Sequence, residues 1–179
     1  MINILIIYSS NDGQTKKICS RMAEVLVNKH KLDLVPISDV NKYDLNDYQA
    51  VILGAAIRYG KHSKLVVEFV DKNRDKLTKI YSVFFSVNAV ARKADKSTAK
   101  TNPYVQKFIK KTKWRPTRSS VFGGSINYPE YRFFDKFVIR LIMWLTNGPT
   151  NIQKSYEFTD WDKVVQLASE ISIDIIQQK

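Results

Sequence analysis

Apolar, β-branched runs alternate along this chain with stretches of helical period, and this alternation limits its fold more than any other feature. Five runs are predicted to be strands, most of them continuously apolar, as in a sheet covered on both faces. These are Ile2 to Tyr8, Leu32 to Ile37, Ala50 to Ala55, Ile80 to Val87 and Ser120 to Ile126. Helices are predicted at Thr15 to Asn28, Leu65 to Lys76, Asn102 to Lys111 and Trp161 to Ile176, the last with Thr159 and Asp160 as candidate N-caps. The order predicts repeated βαβ units, which form an α/β fold with a parallel sheet.

The size and composition of the chain fit one domain. Its 179 residues are 44% hydrophobic, which is enough to bury a full core. The first strand begins at Ile2 without the basic and apolar regions of an export signal, so we expect a cytoplasmic protein. A lone cysteine, Cys19, falls on the apolar side of the first helix and is expected to be a buried core thiol. Residues 1–179 are therefore predicted to form a single domain.

The chain is strongly basic, with 29 Lys and Arg against 17 Asp and Glu and a net charge of +12. Such a surface attracts anions, so nucleic acid, anionic lipid and polycarboxylate substrates all remain open. The segment from Arg92 to Arg118 is especially basic, and its interleaved aromatics Tyr104, Phe108 and Trp114 are also typical of a nucleic-acid patch. No recognised nucleic-acid module accompanies it. We therefore favour a solvated helix face or a lipid-facing patch and expect no nucleic-acid partner.

One connection is far longer than the usual length of about two to six residues. It runs from Asn127 to Tyr156 and is predicted to contain an inserted helix, Tyr131 to Leu145, with a broad apolar arc. The arc is formed by Phe133, Phe134, Phe137, Val138, Leu141, Ile142, Trp144 and Leu145, and the opposite side by Arg132, Lys136, Arg140 and Asn147. A basic amphipathic helix of this kind is typical of a membrane interface. Alternatively, its apolar face packs on the protein's own body or on a second subunit.

The loop from Ser9 to Thr15 joins the first strand to the first helix, a place where ligands bind in doubly wound sheets. Its sequence, Ser-Ser-Asn-Asp-Gly-Gln-Thr, is rich in hydroxyl and amide groups. Because a helix N-terminus presents unpaired N–H groups, small polar residues there accommodate a phosphate. The loop lacks the Gly-Lys-Ser/Thr ending of a Walker loop and the spaced glycines of a dinucleotide loop. The alternative is an N-capped loop without a ligand.

Several segments carry a resemblance to known families. The segment Tyr8 to Thr15 resembles the phosphate loop of flavodoxins, which bind FMN there, but it departs from the usual pattern at Asp12, Lys16 and Lys17. A wider set is similar to the menaquinone-dependent protoporphyrinogen oxidases, a flavodoxin-like family of bacterial haem biosynthesis with an insert after the fifth strand. The set comprises Asp12 to Thr15, Gly54 to Gly60, Ser86 to Lys93, Trp114 to Pro116, Tyr128 to Arg132 and Thr159 to Trp161, in an order that spans nearly the whole chain.

The resemblance implies a flavodoxin-like fold with five parallel strands in the order 2-1-3-4-5, helices on both faces and an insert at about residues 128–156. It also implies an FMN site built from three loops. The first supplies Ser9, Ser10, Asn11, Asp12, Gly13, Gln14 and Thr15, the second Ala56, Ile57, Arg58, Tyr59 and Gly60, and the third Ser86, Val87, Asn88 and Ala89. Tyr59 is the candidate to stack on the isoalloxazine, and Gly60 permits close backbone approach.

The activity implied by the resemblance is oxidation of protoporphyrinogen IX through FMN in three two-electron steps, with reoxidation by menaquinone or ubiquinone. We expect no metal site, since the flavin supplies the chemistry. Arg58, Lys61 and Arg92 are candidates to pair with substrate propionates, with ordinary surface charge as the alternative for each. His62 is a candidate proton acceptor, but a solvent-exposed loop residue is the favoured interpretation. The catalytic residues are unknown beyond the candidates Arg58, His62 and Arg92.

Both reactants are apolar, so the helix from Tyr131 to Leu145 is expected to hold the flavin site at a lipid surface. This predicts peripheral attachment to the inner face of the plasma membrane, assisted by the positive charge. The sequence does not indicate the oligomeric state. Three other functions remain open: a flavodoxin-type electron carrier without a substrate of its own, an NAD(P)H-dependent quinone reductase, and a flavin-free binding module on the same fold.

Overall fold

The computed structural model describes residues 1–177, which form eight strands and five α-helices joined by loops and short 3₁₀ turns. The strands are β1 (Asn3–Ser9), β2 (Lys31–Pro36), β3 (Ala50–Arg58), β4 (Lys61–His62), β5 (Tyr81–Val87), β6 (Arg118–Phe122), β7 (Ser125–Asn127) and β8 (Ser155–Glu157). The helices are α1 (Gln14–Leu26), α2 (Lys64–Lys79), α3 (Pro103–Thr112), α4 (Phe133–Leu145) and α5 (Trp161–Gln177).

Five of the strands form a parallel sheet in the order β2-β1-β3-β5-β6. When these five strands alone are numbered along the chain, their order is the predicted 2-1-3-4-5, so the flavodoxin-like sheet is confirmed. The strand count differs because β4, a sixth member of two residues, pairs antiparallel with the end of β3. Tyr59 and Gly60 make the turn between them with φ values of 48° and 75°. A two-residue hairpin needs these left-handed conformations.

The predicted fifth strand, Ser120 to Ile126, is wrong as one continuous strand. β6 ends at Phe122, and β7 leaves the sheet to form an antiparallel ribbon with β8. The break falls at Gly123, where a Cβ would lie 2.2 Å from the carbonyl oxygen of Phe158. Only glycine permits this approach of two backbone segments. The strands β7 and β8 precede and follow α4, and they pair with each other. The segment that carries α4 therefore begins and ends at the same place beside the sheet.

Both faces of the sheet are covered, as the continuously apolar strands predict. Ile4 and Ile6 of β1 pack toward α1 and α5, whereas Leu5 and Ile7 pack toward α2 and α3. All four side chains are fully buried. Cys19 lies in the layer with α1 and α5, and burial raises the pKa of its thiol. It is a core residue, as expected.

Two helices begin at polar caps. Asn102 accepts hydrogen bonds from the first N–H groups of α3, and Asp160 accepts one from the N–H of Lys163 in α5 at 3.0 Å. The other predicted cap of α5, Thr159, instead donates its hydroxyl to the carbonyl oxygen of Gly123. Within residues 1–177, the helices are all too short or too polar to cross a bilayer.

Candidate functional site

A cavity of about 150 Å³, here called the crevice, lies at the carboxyl ends of β1, β3 and β5, where the three predicted loops meet. Most of the predicted cofactor-binding residues line it. These are Ser10, Asp12, Gln14, Thr15, Ala56, Ile57, Arg58, Tyr59, Gly60, Val87, Asn88 and Ala89. The others lie in the same loops but outside the lining, namely Ser9, Asn11, Gly13 and Ser86. The fold therefore brings the three loops to one site.

The first loop opens α1 and leaves polar groups without partners. Gly13 is the N-cap, with a φ of 83°, and its carbonyl oxygen accepts the N–H of Lys17 at 3.0 Å. The hydroxyls of Ser10 and Thr15 are buried and have no hydrogen-bond partner within residues 1–177. Such buried hydroxyls are rare, and the first N–H groups of a helix also lack intrahelical partners. We call these groups the phosphate cradle, because unpartnered hydroxyl and N–H donors at the start of a helix suit a phosphate group.

The phosphate cradle is braced by residues just after the insert, where the chain returns to the sheet. Gln14 donates from Nε2 to Oε1 of Glu157 and to Oγ1 of Thr159, both at 2.8 Å. Thr159 in turn donates to the carbonyl oxygen of Gly123 at 2.8 Å. Glu157 thus positions the first turn of α1 from the end of β8. The sequence motif at Thr159 pointed to this region, but nothing in the sequence singled out Glu157.

The second loop presents Tyr59 at the rim of the crevice. This side chain is 52% exposed, and the hairpin between β3 and β4 holds its backbone in the left-handed region. The Cζ atom of Arg58 lies 5.3 Å from the ring centre, which is a cation–π contact. Tyr59 therefore offers an accessible aromatic face beside the crevice, and its stacking on a flavin stays a prediction.

His62 lies behind the third loop and outside the crevice lining, and its side chain is half-buried, so the expectation of a solvent-exposed loop residue is wrong. Its Nε2 is 3.0 Å from Oγ of Ser86, which accepts a hydrogen bond from Nδ2 of Asn88 at 3.0 Å. Its ring meets Phe84 and Phe108 edge-on, with centroids 5.6 and 5.0 Å away. Burial lowers the pKa of His62 from 6.5 to about 4, so the imidazole is neutral at pH 7. His62 therefore supports the loop that carries Asn88, and its role as proton acceptor stays a prediction.

The three cations predicted to meet substrate propionates lie in different places. Arg58 lines the crevice. Arg92 donates to the carbonyl oxygen of Ala89 at 2.7 Å and to the carbonyl and hydroxyl oxygens of Thr146 at 2.8 and 2.9 Å. These bonds tie the end of α4 to the third loop. Lys61 is exposed in β4. Of the three, Arg58 is the one that reaches the crevice, and its pairing with a propionate stays a prediction.

A narrow apolar face of α4 covers the crevice. The helix begins at Phe133, two residues after the predicted start, because a 3₁₀ turn at Tyr128–Glu130 precedes it. Ile139, Ile142 and Met143 line the crevice. Ile139 and Met143 lie outside the predicted apolar arc. The arc was placed on the side of the helix where the aromatic residues are most numerous, and these two residues lie on the opposite side.

The wide apolar arc of α4 faces outward. Phe133 is 89% exposed and Trp144 is 67% exposed. Apart from Ile142, which lines the crevice, four further large side chains of the arc are also exposed, namely Phe134, Phe137, Leu141 and Leu145. The alternative that this arc packs on the protein's own body is therefore wrong for these six residues within the described chain. We call these six side chains the outer face of α4.

Polar contacts join the start of α4 to the first two loops. Asp135 accepts hydrogen bonds from Nη2 of Arg58 at 3.0 Å and from the hydroxyl of Tyr59. Arg58 also contacts Asp12 at 3.5 Å, and Tyr131 donates to Asp12 at 3.3 Å. The hydrogen bond from Tyr59 and the charge of Arg58 lower the pKa of Asp135, which is therefore ionised at neutral pH. Sequence reasoning missed Asp135, although a single acidic residue in a basic helix was a usable signal.

Comparison with known proteins identifies the family. A family model described as a flavodoxin domain matches residues 5–153. Protoporphyrinogen IX dehydrogenase (quinone) from Escherichia coli strain K12 is 40% identical over 169 residues, which cover 94% of this chain and 93% of that protein. This chain belongs to the protoporphyrinogen IX dehydrogenase family. A family member of the same name from Leishmania major is 43% identical over 170 residues, which cover 94% of this chain and 74% of that protein.

The fold of this family member also matches solved flavodoxins. Oxidised Flavodoxin 1 from Bacillus cereus superposes with a TM-score of 0.55 at 17% identity, covering 94% of this chain and 96% of that one. At this identity the likeness concerns the fold alone. The resemblance read from the sequence motifs, the flavodoxin-like fold and the oxidoreductase class are thus confirmed, and a flavodoxin domain implies a flavin cofactor.

Proposed function

We propose that this protein oxidises protoporphyrinogen IX to protoporphyrin IX in haem biosynthesis, with FMN as cofactor and menaquinone or ubiquinone as electron acceptor. The names of relatives at 40% and 43% identity support the reaction. The observation that carries the proposal is the composition of the crevice, where the phosphate cradle, Tyr59 and the narrow apolar face of α4 meet. One site thus offers a place for a phosphate, an aromatic face and an apolar cover.

The residues of the crevice would bind the flavin and shield it from water, while the flavin would supply the redox chemistry by accepting and returning electron pairs. Ser10, Thr15 and the first N–H groups of α1 would hold the FMN phosphate. The apolar side chains Ile139 and Met143 of α4 would exclude water from the ring. This arrangement needs no strong acid or base, which agrees with the neutral state of His62.

The charge at the rim suits a substrate with carboxylates. Arg58 lines the crevice, and its side chain is 40% exposed, so a ligand can reach the guanidinium from solvent. Protoporphyrinogen combines an apolar macrocycle with two propionates. The macrocycle would lie against the apolar cover of α4, and a propionate would reach Arg58.

We also propose that the outer face of α4 attaches the protein peripherally to the inner face of the plasma membrane. Its exposed aromatic and aliphatic side chains are flanked by Lys136 and the exposed Arg140. Aromatic residues beside basic ones bind the interface of an anionic bilayer. Both proposed reactants have large apolar parts, so the same helix would cover the crevice on one side and touch lipid on the other.

Anaerobic mixing of FMN-loaded protein with protoporphyrinogen IX and a menaquinone analogue tests the reaction. We expect porphyrin to form in excess of the bound FMN only when protein and quinone are both present. An electron carrier without a substrate would give no rise above the protein-free mixture. A quinone reductase would instead show flavin bleaching by NAD(P)H alone, and a flavin-free module would bind no FMN; any of these results would contradict the proposal.

A further inference from the structure

Arg58 and Tyr59 form a site for one carboxylate at the rim of the crevice. The carboxylate in it belongs to Asp135, whose Oδ2 accepts from Nη2 of Arg58 at 3.0 Å and whose Oδ1 accepts from the Tyr59 hydroxyl. A guanidinium on one oxygen and a phenol on the other give a charge-assisted arrangement that suits carboxylates as a class. We call Arg58 and Tyr59 the carboxylate site. The chain fills it with a side chain of its own.

Asp135 connects the carboxylate site to the cover of the crevice. It precedes Ile139 by one helical turn and Met143 by two, on the face of α4 that lines the crevice. The opposite end of α4 is tied to the third loop by the hydrogen bonds of Arg92 to Thr146. Release of Asp135 would therefore loosen the start of α4 while its end stays attached.

Asp135 can be exchanged for another carboxylate at the carboxylate site. The side chain of Arg58 is 40% exposed and that of Asp135 is 17% exposed, so water reaches the pair. Ion pairs of this kind are weak. Asp12 lies 3.5 Å from the other terminal nitrogen of Arg58 and would hold the guanidinium in place during the exchange. An incoming carboxylate can then replace Asp135 without leaving the charge of Arg58 unpaired.

We propose that Asp135 is a specificity-determining residue, which occupies the carboxylate site until a carboxylate of the substrate replaces it. The inference rests on the proposed function, because it assigns a propionate of the porphyrinogen to Arg58 and Tyr59. A ligand of the same shape without a carboxylate must also displace Asp135, but it forms no ion pair with Arg58. It therefore binds more weakly.

The test compares protoporphyrin IX with its dimethyl ester, which has the same ring and no free carboxylate. FMN-loaded wild type, Asp135→Asn, Arg58→Gln and the double variant are titrated with each ligand in the same detergent, and porphyrin fluorescence reports binding. Wild type should bind the acid more tightly than the ester. Asp135→Asn should bind the acid about two- to fivefold more tightly than wild type does, because its competitor is gone. In the Arg58→Gln background, Asp135→Asn should have no effect.

Glu130→Gln is the matched control for charge, since it removes one exposed carboxylate just before α4 that does not contact Arg58. It should leave the affinity for the acid unchanged. The proposal is overturned if wild type binds acid and ester equally, if Asp135→Asn does not strengthen acid binding, or if Glu130→Gln strengthens it as much.

Two features keep the test decisive. Asp135→Ser serves as a second variant, and the visible flavin spectrum of each protein confirms FMN loading before the titration. The titration uses the porphyrin product and requires no turnover. An unexpected titration result would therefore contradict the role of Asp135 but not the proposed reaction. A wild type that forms no porphyrin would contradict the proposed reaction.

Discussion

Among single residues, Ser10 and Thr15 matter most, because both hydroxyls are buried without a partner within residues 1–177. An unpaired buried polar group costs roughly 1–3 kcal/mol. Two such groups at the start of one helix indicate a ligand that pairs with them. A phosphate suits them, since it accepts several hydrogen bonds and carries the charge that a helix N-terminus favours.

We expect Thr15→Val to weaken FMN binding by about 1.5–3 kcal/mol, because a hydrogen bond to a charged group is lost. Valine keeps the shape of threonine and removes an unpaired hydroxyl. The free energy of unfolding of the FMN-free protein should therefore stay the same or rise. Quenching of FMN fluorescence measures the affinity, and urea denaturation measures the free energy of unfolding.

Thr112→Val is the matched control for this substitution. Thr112 is equally buried, but its hydroxyl donates to the carbonyl oxygen of Phe108 at 3.0 Å, and it lies outside the crevice. This variant should lose stability and keep its FMN affinity. Equal FMN affinities for wild type and Thr15→Val would show that the phosphate binds elsewhere.

His62 gives the stability of the protein a pH dependence with a definite sign. Its pKa is lowered from 6.5 to about 4, so below pH 6.5 the unfolded chain binds a proton that the folded chain does not. The free energy of unfolding should therefore fall as the pH drops from about 6.5 to about 4. We expect His62 to account for about 1–2 kcal/mol of this fall, less than the full shift implies, because its side chain is only partly buried.

His62→Phe isolates this contribution, since phenylalanine can keep the edge-on contacts with Phe84 and Phe108 and does not titrate. His30, whose pKa burial also lowers, is present in both proteins and cancels in the comparison. Urea denaturation at about pH 7 and about pH 4.5 should show a smaller loss of stability for the variant than for wild type. Identical losses would contradict the neutral state of His62 in the folded protein.

At the scale of the secondary-structure elements, α4 carries an exposed apolar face in addition to the apolar face that lines the crevice. We expect Phe137→Glu, Leu141→Glu to abolish sedimentation with anionic vesicles, because the change removes apolar contact area from the outer face and adds charges that anionic headgroups repel. Ile173→Glu, Ile176→Glu is the matched control, with the same charge change at two exposed isoleucines of α5. The control should sediment like wild type. If both double variants sediment equally, α4 is not the membrane contact.

The elements that the sequence predicts well are those encoded by local patterns. Continuously apolar strands and amphipathic helices identify the sheet, and the loop Ser9 to Thr15 shows its chemistry in its own residues. The break at Gly123 was missed because it depends on the approach of Phe158, which lies far along the chain. β4 was missed because two residues show no periodicity, and Tyr59 adopts a left-handed turn conformation that non-glycine residues seldom take.

The same limit explains what was missed at the site. The three loops converge as predicted, since strands of known order place their carboxyl ends at one edge of the sheet. Asp135 and Glu157 were not foreseen, because each acts on a residue distant in the sequence, Arg58 or Gln14. A helical wheel shows which residues of α4 are apolar. It does not show which of two apolar sides meets the crevice.

For the molecule as a whole, the insert unites the proposed activities. Glu157, which directly follows the insert, braces Gln14 in the phosphate cradle, and the helix of the insert covers the crevice with Ile139 and Met143. The outer face of the same helix is exposed, on a chain with a net charge of +12. Cofactor binding, substrate entry and membrane contact would thus meet in one segment of the chain.

Anaerobic mixing of FMN-loaded protein with protoporphyrinogen IX in the absence of quinone tests whether electrons pass through a flavin in this crevice. The flavin absorbance should bleach while porphyrin fluorescence rises, with about three FMN reduced for each porphyrin formed. A menaquinone analogue added afterwards should restore the oxidised flavin spectrum. Porphyrin formation without flavin bleaching, or a flavin that porphyrinogen leaves oxidised, would contradict the proposed function.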